Sequence, residues 1–171
     1  MLYILSAHFE SPFWVSTQRK FLDAFIDVPH KRMFTSHGLD EREFLEAETL
    51  FPYQGNHWKS LDHLGKIAST DAQNDDYLLF IDSDSFPIQQ ISALLESKKE
   101  IIAVQRLENL GDPQPHPCFC LMKVGTYRDL NFSWKPGLTW LDWFGTLRTD
   151  VGAVVTIPSP PTLILQRSLE Y

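Results

Sequence analysis

The spacing of apolar positions changes along this chain and divides it into strands and helices. Residues 2–6, Leu-Tyr-Ile-Leu-Ser, form a short apolar run that predicts a first strand. Ser11-Pro12 then supplies a helix cap followed by proline at the first helical position. Val15, Phe21, Leu22, Phe25 and Ile26 recur at helical spacing, and Ser16, Thr17, Gln18, Arg19, Lys20 and Asp23 fill the other face. Val28-Pro29 closes this helix, residues 32–35 predict a second strand, and His37-Gly38 ends it. Asp40 followed three residues later by Glu43 is a reciprocal capping pattern. It predicts a short acidic helix with Glu41, Glu43, Glu46 and Glu48 on a solvated face. Residues 51–56 read as a loop, with Asn56 capping a helix that buries Trp58, Leu61, Leu64, Ile67 and Ala68.

The stretch 75–88 organises the rest. Tyr77, Leu78, Leu79, Phe80 and Ile81 run without a polar break, as in a strand buried on both faces, and end abruptly in Asp82-Ser83-Asp84. Ile88, Ile91, Leu94 and Leu95 predict a helix after Pro87, and residues 101–104 another buried strand. Proline and glycine punctuate a loop over 107–117. Residues 118–122 return as strand, 126–130 as a helical turn, and 133–144 as a tryptophan-rich stretch. A β-branched strand is expected over 151–157, followed by Pro158-Ser159-Pro160-Pro161 and a short apolar tail. Strand and helix alternate through residue 104, which predicts an α/β fold with a mostly parallel central sheet flanked by helices. There is no internal repeat or boundary, so one compact domain is expected over residues 1–171.

Composition narrows the function. An apolar fraction of 43% over 171 residues supports one packed core. A net charge of −7 argues against a broad nucleic-acid surface. No run approaches the roughly twenty apolar residues of a transmembrane helix. Residues 1–6 lack the basic flank of a signal peptide, so a cytoplasmic location is expected. Cys118 and Cys120 are one residue apart and share a face if that segment is a strand. Such neighbours bridge poorly, and a zinc site would need ligands at a spacing the chain lacks, so both are expected to be buried reduced thiols.

The chemistry-bearing feature is the pair Asp82 and Asp84. Open parallel sheets place ligands just past the carboxyl ends of their strands. Two carboxylates there are costly to desolvate unless a cation neutralises them, and hard divalent ions such as Mg2+ or Mn2+ prefer oxygen ligands. A plainer reading is available too: Asp84 or Ser85 capping the following helix. A calcium loop is not supported, because the glycine and distal glutamate of that motif are missing. His116, held between two prolines, is a possible metal ligand, a base or a solvent-facing loop residue.

The order strand, loop, helix, then a helix leading into the apolar run that ends at Asp82-Ser83-Asp84, followed by proline and a helix, resembles the nucleotide-sugar domain of GT-A glycosyltransferases. The segment 115–123 resembles, less specifically, their acceptor side. The resemblance covers about residues 1–130. It implies a metal-dependent transfer of sugar from a nucleotide-diphospho-sugar donor to a sugar or other hydroxyl acceptor. It divides the domain into a nucleotide-binding half, 1–105, and an acceptor-side half, 106–171. It assigns Asp84, Asp82 and His116 to Mn2+ or Mg2+, with Asp82 also reaching the ribose or a metal-bound water and Ser83 beside it. Ser6, Ala7, His8, Phe9 and Glu10 would flank the nucleobase, Asp40 would bond to it, and Lys59 or His63 would face the diphosphate. If the anomeric centre inverts, a carboxylate or histidine takes the acceptor's proton, with Asp150 ranked before Asp142, His116 and Glu108. Trp134, Trp140 and Trp143 would stack on a sugar ring or fill the core. Two other readings stand beside this one. One is a nucleotide-sugar-binding relative without catalysis. The other is a phosphohydrolase of the haloacid dehalogenase type, whose pattern is broken here by Ser85-Phe86.

Overall fold

The computed structural model describes residues 1–53, 55–105, 115–137, 139–141, 144–149 and 162–166. Strands β1 (Leu2–Phe9), β2 (His30–His37), β3 (Glu48–Pro52), β4 (Tyr77–Phe80), β5 (Ile101–Gln105), β6 (His116–Lys123) and β9 (Thr162–Gln166) form one sheet in the order β3-β2-β1-β4-β6-β5-β9. All run parallel to their neighbours except β6, which is antiparallel to both β4 and β5. A separate hairpin pairs β7 (Thr139–Leu141) with β8 (Leu147–Thr149). The helices are α1 (Pro12–Phe25), α2 (His57–Asp71), α3 (Ser92–Leu95) and α4 (Val124–Asp129).

Side-chain alternation sorts the core into two layers. Tyr3, Leu5 and Ala7 of β1, with Leu78 and Phe80 of β4, face Leu61, Leu64 and Ala68 of α2. Leu2 and Ile4, with Leu79 and Ile81, face Leu22 and Ile26 on the other side. Leu78, Leu79, Phe80 and Ile81 are all fully buried, as an uninterrupted apolar run requires. Each such side chain contributes about 1.5–3 kcal/mol of burial. Helix α2 approaches β4 and α4 closely because Gly65 has no Cβ. One built there would lie 2.6 Å from Tyr127 Oη and 3.1 Å from Phe80 Cζ. Cys120 is fully buried and reduced, with burial pushing its thiol up, while Cys118 is half-buried and forms no disulfide.

Several expectations are corrected. The acidic helix after Asp40 is a single 3-10 turn, Glu41–Glu43, and the chain is extended again at Phe44. Glu48 then opens edge strand β3, and Pro52 is tolerated there because it leaves no central ladder partner unpaired. Glu48 is buried, whereas Glu41, Glu43 and Glu46 are exposed as expected. After Pro87 the chain stays irregular, and only Ser92–Leu95 turns into helix. Strand 118–122 extends to His116–Lys123, and part of the apolar tail forms edge strand β9. The strand expected over 151–157 lies outside the described residues. Among the described residues no helix is long and apolar enough to cross a membrane.

Candidate functional site

The Asp82-Ser83-Asp84 segment leaves β4 at the sheet edge where β1 and β2 also end. Ile81 N still donates to Leu5 O at 3.1 Å, and Ser85 N then closes a turn onto Asp82 O at 3.0 Å. The alternation of β4, Phe80 toward α2 and Ile81 away from it, brings Asp82 to the α2 side. His57 waits there as the first residue of α2, placed by Asn56, whose Oδ1 accepts from Lys59 N at 3.3 Å. His57 Nε2 lies 2.9 Å from Asp82 Oδ1, a close electrostatic contact that is not aligned as a hydrogen bond. Asp84 is exposed, and Ser83 is half-buried within the turn.

On the opposite side of the sheet, Gln18 of α1 is only 1% exposed. Its Nε2 donates to Asp82 O at 2.8 Å and to Ser85 O at 3.3 Å, the two ends of the turn. Sequence reasoning placed Gln18 on the polar face of its helix. Its spacing held the contrary signal: Val15, Gln18 and Leu22 lie on one stripe, and these three are the buried residues of α1.

Ser6, Ala7 and His8 lie inside β1, longer than expected, and all three are buried. His8 packs edge-on against Phe34 at 5.0 Å and Phe44 at 5.7 Å between ring centroids. Burial lowers its pKa to about 4, so the ring is neutral at neutral pH. The surface at this end of β1 belongs instead to Phe9, whose ring lies 5.6 Å from His37 and 6.1 Å from His57. Phe9, His37 and His57 form an aromatic ledge that ends at Asp82; of the three, sequence reasoning named only Phe9 for the site.

The remaining candidates are dispersed. Asp40 caps the 3-10 turn by accepting from Arg42 N at 2.9 Å and pairs with the Arg42 guanidinium at 2.6 Å. That guanidinium holds the Asp40 carboxyl below the usual carboxylate range. Lys59 is exposed with its Nζ over the Trp58 ring, 5.4 Å from the centroid. His63 stacks on Tyr53 at 4.7 Å. Trp134 is a core residue, fully buried and edge-on to Phe80 at 5.1 Å. Its backbone N–H and the Ser133 hydroxyl donate to the Asp62 carboxylate at 2.7 and 2.6 Å. Asp142, Trp143, Asp150 and Glu108 lie outside the described residues, and nothing is described of the Trp140 side chain.

His116 begins β6 at the same sheet edge, since β6 runs antiparallel to β4 with Phe80 opposite Cys120. It is buried, and its Nδ1 accepts from Cys118 N at 3.0 Å, an acceptor role that places the ring proton on Nε2. It is not gathered with Asp82 and Asp84. Among the described residues no three His, Cys, Asp or Glu side chains cluster closely enough to hold a metal. The donor set still suits a hard cation. Two carboxylates lie on one turn, one exposed and the other touched, among the described residues, by an imidazole. Mg2+ and Mn2+ accept one or two carboxylates and take their other ligands from phosphate oxygens and water.

No family model matches the sequence, and no curated protein matches it either. Solved structures do match in fold. The galactosyltransferase LgtC, in complex with donor and acceptor sugar analogues, superposes with a TM-score of 0.51 at 13% identity, covering 75% of this chain and 60% of LgtC. An active-site mutant of LgtC gives the same score and identity over 59% of its length. The mannosyltransferase PcManGT from Pyrobaculum calidifontis, in complex with GDP-Man and Mn2+, superposes with a TM-score of 0.54 at 9% identity, covering 78% of this chain and 47% of that one. This chain therefore matches about half to three-fifths of each neighbour. Its mixed sheet flanked by helices, with Asp82 and Asp84 just past the central strand, has the fold of the GT-A glycosyltransferases.

Proposed function

We propose that the protein is a glycosyltransferase. It moves a sugar from a nucleotide-diphospho-sugar to a hydroxyl acceptor, with Mn2+ or Mg2+ held at Asp82 and Asp84. One observation carries this reading. Among the described residues the exposed Asp84 carboxylate has no cationic partner, and it sits on a fixed turn just past the strand at the centre of the sheet. A buried carboxylate needs a partner within the chain, whereas one held open to solvent on such a turn, beside an aromatic ledge, is available to a ligand. The GDP-Man and Mn2+ bound by one structural neighbour, and the donor and acceptor analogues bound by another, support the same reading.

Phe9, His37 and His57 present ring faces and edges that suit the nucleoside end of the donor. Asp84 and Asp82 lie at the next position along the edge, where the diphosphate would follow. Asp82 engages a metal only by sharing or leaving its contact with His57. A divalent ion bound there supplies Lewis-acid stabilisation of the departing diphosphate. In the transfer, the bond from the anomeric carbon to the phosphate oxygen breaks and a bond to the acceptor oxygen forms. The acceptor's proton passes to a base, for which the sequence offers Asp150 and then Asp142. Residues 1–105 would thus bind the donor, and 106–171 would face the acceptor.

Titration of UDP- and GDP-sugars with and without Mn2+, on wild type and Asp84→Ala, tests the proposal. The expected result is binding strengthened by Mn2+ in wild type and not in the variant. Binding that ignores Mn2+, or no binding of either nucleotide class, overturns it.

A further inference from the structure

We propose that Gln18 is a positioning residue that sets the shape of the turn carrying Asp82 and Asp84. Through that turn it governs the metal-dependent part of donor binding, a second clause that rests on the function proposed above.

A glutamine in the buried stripe of an amphipathic helix replaces a residue that would ordinarily be apolar, and its amide must find partners. Gln18 directs its Nε2 away from its own helix, to Asp82 O at 2.8 Å and Ser85 O at 3.3 Å, 64 and 67 residues further along the chain. An amide nitrogen has two hydrogens to give, and these two carbonyls are both on the turn. They are its first and last residues. The turn's own closure is a single bond, Ser85 N to Asp82 O, so Gln18 adds two bonds to a turn that otherwise holds itself by one.

Drawing both end carbonyls toward α1 leaves the middle of the turn facing out, which is where Asp84 is exposed. On the other side of the sheet, His57 meets the Asp82 side chain. Gln18 holds backbone and His57 touches a carboxylate, so the two contacts do different work. Gln18 also borders the buried, neutral His8, with which its side chain interacts, but both bonds given by its Nε2 end on the turn. The nitrogen end of the amide is therefore aimed by the turn carbonyls. A residue kept only for packing would not need that orientation.

The test uses the full chain with Gln18→Met, which keeps the length of the side chain and removes both donors. Gln18→Asn, which keeps the amide but draws it out of reach, is used if the first variant does not fold. The first readout is amide hydrogen exchange over residues 83–86. Exchange is expected to quicken by about tenfold or more there, as a local opening does, with β1 and β4 unchanged. Unchanged exchange at these amides overturns the positioning role whatever the ligand. The second readout is binding of UDP and GDP with and without Mn2+. The Mn2+-dependent gain should fall by roughly tenfold to a hundredfold, the usual effect of losing an outer-shell partner, while metal-free binding stays the same. A full Mn2+ gain in a variant whose turn exchanges faster overturns the second clause. A wild type with no Mn2+ gain, but with faster exchange in the variant, supports the positioning role and overturns the proposed function instead.

Discussion

Two acidic regions of this protein look alike in sequence and are opposite in construction. In residues 40–48, Asp40 is paired with Arg42, and the buried Glu48 receives the Arg19 guanidinium at 3.0 and 2.9 Å. Arg32 approaches Glu48 at 3.7 Å while holding Asp23 at 2.6 Å, and Leu45 N donates to Glu48 at 2.9 Å. The 3-10 turn and β3 are thereby tied to α1 and β2. In residues 82–84 no arginine or lysine answers either acid among the described residues. Asp82 touches a histidine, and the bonds that hold the segment are made by its backbone. Acids neutralised from within the chain build the fold, and acids left to an outside cation are candidates for chemistry.

That contrast is open to test at both ends. The largest effect is expected from Glu48→Ala, which takes from the part-buried Arg19 guanidinium its carboxylate partner and leaves Leu45 N without its acceptor. Chemical denaturation should show a loss of about 3 kcal/mol or more, the usual outcome of breaking a buried pair from one side. A loss within the range of an ordinary surface change would remove the structural half of the comparison. Next comes acid sensitivity. His8 titrates near 4 in the fold against an ordinary 6.5, so below pH 6.5 the unfolded chain takes up a proton that the native state refuses. Stability should therefore fall from pH 6.5 downward, by on the order of 3 kcal/mol once pH is below 4. Denaturation midpoints measured across this window should fall less steeply in His8→Leu than in wild type.

Asp84→Asn belongs to the other half of the comparison. It should leave stability within about 0.5 kcal/mol, as exposed substitutions do. The Mn2+-dependent gain in nucleotide binding should nonetheless disappear by calorimetry. A substantial drop in melting temperature would mean that Asp84 serves the fold after all. The smallest effect is expected from Arg42→Ala, whose partner is exposed and solvated. It should change neither the denaturation midpoint nor Mn2+-dependent binding measurably, and a loss of nucleotide affinity would bring Asp40 back as a contact to the base.

What the sequence determined by itself was local. The β4 run needs only its own five apolar residues to read as a doubly buried strand, and its abrupt end marks Asp82 and Asp84 as acids at a sheet edge. The Asn56 cap and the stripe of α2 were legible for the same reason. Tertiary structure decided everything that depends on a partner far along the chain. Glu48 reads as one more solvated acid until Arg19, 29 residues earlier, is folded against it. The capping pattern at Asp40 reads as a helix until pairing with β2 draws residues 48–52 into a strand. Gln18 and His57 join the site only because α1 and α2 pack on opposite faces of one sheet and meet the same turn. A side chain's neighbours across a fold are fixed by sheet order and register, and neither is written in any one segment.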